Sequence, residues 1–91
     1  MRLKWSKTAL SNMVSIENFI RKENPRASER IMHSIRAQIQ ILKEHPNIGR
    51  IGKRKATREL VISKTNYVAV YEIYKGDIVV LRILHGAQQW P

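Results

Sequence analysis

The chain has 91 residues, too few to bury two independent cores, and is expected to fold as one domain over residues 1–91. It is 43% hydrophobic and 26% charged, has no cysteine and carries a formal net charge of +10, which excludes disulfide scaffolds, thiolate metal sites and cysteine nucleophiles and favours an anionic partner. Its longest apolar stretches are four or five residues, as in 67–71, and Arg2, Lys4 and Lys7 interrupt any apolar leader, so no membrane attachment and a cytoplasmic location are expected.

Met1, Leu3 and Trp5 alternate with Arg2 and Lys4, the period of a short half-buried strand. Ser6 can cap a helix running to about Glu23, whose Ala9, Met13, Ile16 and Ile20 fall on one stripe. Asn24-Pro25 restarts the helix, with Asn as N-cap and Pro where its missing N–H costs nothing. The second helix sets Ala27, Ile31, Ile35, Ile39 and Leu42 on one face and is expected to end near His45, since Pro46 cannot continue it. So short a connection predicts an antiparallel helical hairpin.

Residues 47–56 hold two glycines and four basic residues and read as a cationic surface loop. Three strands are predicted next, at about 58–63, 67–74 and 78–85, rich in Val, Ile and Tyr and separated by Lys64-Thr65-Asn66 and Lys75-Gly76-Asp77. The order is β-α-α-β-β-β: an N-terminal strand, the helical hairpin and a three-stranded antiparallel meander, a two-layer α+β fold. Strict alternation sets Val79, Leu81 and Ile83 against Val80, Arg82 and Leu84. In the preceding strand it sets Val68, Val70 and Glu72 against Tyr67, Ala69, Tyr71 and Ile73. With apolar groups on both faces, the face away from the helices is expected to expose apolar patches, a common mark of a partner site.

Charge is concentrated as well as abundant. Within residues 50–64, Arg50, Lys53, Arg54, Lys55, Arg58 and Lys64 stand against one acid, Glu59. Arg58 and Arg82 lie in or beside strands among aliphatic residues, where a charge is costly unless paired or facing an anion. A salt bridge to Glu59 or Glu72 and contact with a target are both open for them. His85, with an ordinary pKa of about 6.5, suits acid–base work or a structural hold on the C-terminal tail. His33 and His45 read as a solvated side chain and a helix-end contact. Three scattered histidines without paired spacing indicate no metal site, and nothing calls for a cofactor. Tyr67, Tyr71 and Tyr74 are expected to fill the sheet, while Trp90 either packs on Trp5 or serves as a contact residue.

Asn24-Pro25-Arg26-Ala27, the run 45–50, Thr57-Arg58-Glu59-Leu60-Val61-Ile62, the run 66–71 and the closing run 82–91 together resemble the ParE branch of the RelE/ParE toxin superfamily, in order and over nearly the whole chain. The resemblance implies the toxin of a type II toxin–antitoxin system, held by a cognate antitoxin. Such an antitoxin has a disordered, often acidic segment that covers the toxin and an N-terminal half that binds operator DNA. ParE-type toxins imply DNA gyrase as target. RelE-type toxins imply ribosome-dependent cleavage of mRNA, and this remains the alternative, with Arg58, Arg82 and His85 as the catalytic group. Most of the RelE-like constellation is missing: Val68 stands where an Arg is expected, and the tail after His85 has neither a basic residue nor a Tyr. A non-enzymatic inhibitor is therefore expected over a ribonuclease. Its target-binding surface is expected to comprise Arg50, Lys53, Arg54, Lys55, Arg58, Arg82, Gln88 and Trp90. A nucleic-acid-binding module without toxicity is the third reading, weakened by the lack of a helix-turn-helix or aromatic RNA-binding signature.

Overall fold

Ser6 and Asn24 open the two helices in the computed structural model, which describes residues 1–86. Ser6 Oγ accepts the Ala9 N–H at 3.0 Å to start α1 (Lys7–Glu23). Asn24 Oδ1 accepts the Ala27 N–H at 3.1 Å to start α2 (Pro25–Gln40), with Pro25 in its first turn. Asn24 also closes α1, donating its own N–H to the Ile20 carbonyl at 2.9 Å, so one residue serves both helices. α2 ends earlier than expected, at Gln40, and passes into a 3-10 turn at Ile41–Lys43 before Pro46 is reached. Leu42 in that turn is fully buried with Ile35 and Ile39.

The strands β1 (Leu3–Trp5), β2 (Arg50–Ile51), β3 (Thr57–Val61), β4 (Tyr67–Tyr74) and β5 (Asp77–His85) form one five-stranded sheet in the order β1-β5-β4-β3-β2. The meander β3-β4-β5 is antiparallel, and β1 joins its far edge parallel to β5, with Trp5 opposite Val80. Asp77 secures that junction: its carboxylate lies 3.1 Å from Lys4 Nζ and 3.6 Å from the Arg2 guanidinium, and it accepts the Arg2 N–H at 3.2 Å. β2 falls inside the segment expected to be entirely loop. It is a two-residue antiparallel pairing, Arg50 with Glu59 and Ile51 with Arg58.

A bulge changes the faces of β5. Tyr71 stands opposite Val80 but Val70 stands opposite Arg82, so Leu81 is the extra residue. One inserted residue shifts a period-two pattern by one step. Ile83 therefore joins Ile78 and Val80 in the core beneath the helices, and the strict alternation expected from the sequence does not hold past Leu81. The bulge is tied to α1: Ser6 Oγ donates to the Leu81 carbonyl at 2.9 Å. Beyond the reach of β1, the Ile83 N–H donates to Asn12 Oδ1 at 3.1 Å, so a helix side chain takes the place of a further strand.

The core lies between the helical hairpin and one sheet face, with Ala9, Met13, Met32 and Ile35 meeting Ala69, Tyr71, Val80 and Ile83. The opposite face is not the exposed apolar patch that was expected. Val68, Val70 and Leu84 are buried there, and Val70 shares its cross-strand row with Arg50, Glu59 and Arg82. Val61, opposite Val68, is exposed on this face, and other exposed large apolar residues include Leu10, Val14 and Phe19 on α1 and Ile48 and Ile51. Among the described residues no helix is long and apolar enough to cross a membrane.

Candidate target-binding surface

The basic segment is a built turn. The Gly52 N–H donates to the Thr57 carbonyl at 2.8 Å, while the Thr57 N–H and Oγ1 both donate to the Arg54 carbonyl, at 3.2 and 2.7 Å. Ala56 takes a left-handed φ of 65° to close it. A Cβ on Gly52 would fall 2.3 Å from Thr57 Oγ1, so glycine is required by close approach. Lys53, Arg54 and Lys55 are exposed around this turn.

Arg50 and Arg58 flank the turn and are both engaged in structure. Arg50 places Nε and Nη2 each 2.9 Å from Glu59 Oε1, and the Glu59 side chain is 9% exposed. A carboxylate so buried is costly without a cation, and Arg50 supplies one. Arg58 pairs with neither Glu59 nor Glu72. Its Nη1 donates to the carbonyls of Gly49 and Asn47, at 2.8 and 3.2 Å. The same loop is held by Tyr71, whose hydroxyl donates to the Pro46 carbonyl at 2.7 Å and accepts the Gly49 N–H at 2.9 Å. Burial raises the Tyr71 pKa above the ordinary tyrosine value, against the opposing effects of the Gly49 amide and the Arg58 charge. Gly49 has no room for a side chain, since a Cβ would lie 2.6 Å from both the ring and the hydroxyl of Tyr71.

Arg58 stands opposite Tyr71, on the helix-side face, and His85 stands opposite Tyr67 on that same face. The His85 and Tyr67 rings meet edge to face, with centroids 5.7 Å apart and planes at 85°. Arg82 stands opposite Val70 on the far face, in the row of Glu59 and Arg50. The three residues named for the ribonuclease alternative are thus divided between the two faces. Gln88, Trp90 and the packing of Trp90 on Trp5 lie outside the described residues. Among the described residues, no group of three His, Asp or Glu is placed to hold a metal ion.

One feature of this surface was missed in the sequence. Phe19 is 68% exposed, and with Asn12, Ser15 and Ile16 it forms one wall of a groove of about 360 Å³ whose other wall is β5 from Arg82 to His85. A second hollow of about 530 Å³ adjoins it across Phe19, Tyr67 and His85, and reaches Lys64, Thr65 and Asn66. The available signal was that Phe19 falls off the Ala9, Met13, Ile16, Ile20 stripe, and so cannot share its burial.

Residues 3–90 match the model of a protein family described as the ParE toxin of the type II toxin–antitoxin system parDE. The chain belongs to the ParE toxin family. It is 37% identical over 90 residues to protein Y4kP of Sinorhizobium fredii, covering 99% of this chain and 93% of that one. In fold, this ParE-family chain is similar to a chain of the chromosomal ParDE system from P. aeruginosa, with a TM-score of 0.87 at 22% identity, covering 93% of this chain and 95% of that one. It is also similar to a chain of the intact E. coli RelBE toxin–antitoxin complex, with a TM-score of 0.64 at 15% identity, covering 97% and 98% of the two chains. Both likenesses concern the fold, and the larger TM-score is on the ParDE side.

Proposed function

We propose that this ParE-family toxin stops growth by binding DNA gyrase rather than by cutting RNA. The observation that supports a binding mode of action is that Arg58 is committed to the carbonyls of Asn47 and Gly49, away from the groove that Arg82 and His85 line together. Acid–base cleavage of RNA needs its proton-transfer groups and its phosphate-binding cations around one reacting centre. Here Arg58 holds the 47–49 loop, so Arg82 and His85 share their groove without this second cation. Membership of the ParE family supports gyrase as the target. Lys53, Arg54, Lys55 and Arg82 are the contact residues best supported by position, with Gln88 and Trp90 added from the sequence reading.

The partner that neutralises it is a cognate cytoplasmic antitoxin with a disordered acidic segment, and operator DNA is reached through that antitoxin. The groove beside Phe19 suits an amphipathic segment, with Phe19 and Ile16 to bury and Lys64 and Arg82 at its margins to meet acidic side chains.

Induced expression followed by two assays tests the reading. Supercoiling by purified gyrase is expected to be inhibited while primer extension shows intact transcripts. Codon-positioned cuts with normal supercoiling overturn it in favour of the ribonuclease. His85→Ala is expected to keep toxicity, and its complete loss with an unchanged circular dichroism spectrum counts against a binding mode of action.

A further inference from the structure

Arg54, Lys55 and Arg82 converge on a cleft of about 370 Å³ on the far side of the sheet, although 26 residues separate Lys55 from Arg82 in sequence. Its remaining walls are Ser6 and Thr8 at the start of α1, Thr57, Leu81 and one acid, Glu72. Three cations against one carboxylate leave the lining positive. Arg54 and Arg82 each already interact within the chain, and a guanidinium carries five N–H donors in a fork, so an anion can share these groups. The turn that carries Arg54 and Lys55 is fixed by the Thr57 bonds to the Arg54 carbonyl before any ligand arrives. The bulge that turns Arg82 to this face is fixed by Ser6. Both sets of cations are therefore positioned by the fold.

We infer that this cleft binds a phosphodiester group of nucleic acid. A phosphate takes several donors at once and matches the planar fork of arginine. The surroundings extend in the same sense: Arg50 and Lys53 line a second, smaller hollow with Glu59 and Leu84. Arg50 and Arg82 occupy one cross-strand row three strand spacings apart, about 14 Å. That span equals about four nucleotides at about 3.4 Å per nucleotide along one strand. Arg50 is paired with Glu59, so Lys53 is the cation left over in that hollow, and a repeating polyanion can reach it and the cleft together where an isolated anion cannot. The site does not depend on which machine the toxin stops, so it stands or falls apart from the gyrase reading.

Fluorescence anisotropy of the free toxin with a labelled 20-base-pair DNA duplex, repeated between 50 and 200 mM salt, tests the site. Arg54→Gln/Lys55→Gln lies on an exposed turn, and its charge-matched control Arg26→Gln/Arg30→Gln lies on exposed positions of α2. The turn variant is expected to lose at least tenfold in affinity and about two from the slope of log K against log salt, the control less than threefold. Equal losses in the two doubles would mean diffuse attraction and overturn the site. In ¹H–¹⁵N spectra, added pyrophosphate is expected to shift the amides of Thr8, Lys55 and Arg82, and shifts spread evenly over the surface argue against it. An acidic peptide of equal charge that displaces the duplex from the cleft at lower concentration would assign it to carboxylates instead, and so to a protein partner. Arg82→Lys, which keeps the charge but loses the fork, is expected to weaken binding less than Arg82→Gln.

Discussion

Tyr71 ties the core of the sheet to the loop that precedes the basic turn. Its ring is fully buried and its hydroxyl bridges Pro46 and Gly49. Tyr71→Phe keeps the ring but strands a buried amide and a carbonyl, so a loss of about 1–3 kcal/mol is expected in urea unfolding. Asp77 works at the other end of the sheet. Its pKa is held below the ordinary carboxylate value, chiefly by the hydrogen bond to Lys4 and then by the Arg2 amide. A carboxylate with a lowered folded-state pKa adds stability above its unfolded pKa and loses it as pH falls through the folded value. Asp77→Asn is expected to lower stability at neutral pH and to flatten the acid limb of the stability profile below the ordinary carboxylate range, read by thermal melts from pH 7 to 3. The residue scale also shows where sequence reasoning stops. Arg58 was recognisable as a charge among aliphatic neighbours, but its partners are backbone carbonyls 9 and 11 residues earlier, and no side-chain pattern encodes a carbonyl's direction.

Among the elements, those defined by local chemistry were readable. Ser6 and Asn24-Pro25 announce the helix starts, and the Val, Ile and Tyr runs announce the meander, because caps and turns act over a few residues. What escaped depends on distant partners. β2 exists only because Glu59 and Arg58 present an edge to it, and Ile51 within it is 82% exposed, so it has no burial pattern to betray it. The Leu81 bulge leaves no mark in a strand whose residues are apolar on both sides. Two glycines separate the kinds of constraint that elements impose. Gly49→Ala would force a Cβ into the fixed Tyr71 ring and is expected to cost about 3 kcal/mol or more. Gly76→Ala meets open space and only a left-handed φ of 81°, so about 1–2 kcal/mol is expected. Denaturation of both variants checks the ranking, and a reversed order would mean that the 46–49 loop yields more readily than its contacts imply.

For the whole molecule, a net charge of +10 on 91 residues is a source of self-repulsion that added salt relieves. Raising monovalent salt from 50 to 500 mM is expected to increase the melting temperature, by about 4–8 °C for each kcal/mol of repulsion screened. The same salt weakens exposed pairs such as Arg21–Glu17, but pairs of that kind contribute little. Like charge keeps copies apart, and the Asn12 bond to the Ile83 amide adds a second safeguard that salt does not remove. β1 is too short to cover β5 along its length, and a bare strand margin is a template on which identical chains can stack into filaments. By occupying one amide of that margin from a helix, Asn12 denies the first rung of such a ladder. Charge and this one bond thus act against the edge-to-edge stacking that would turn a free toxin into an inert precipitate.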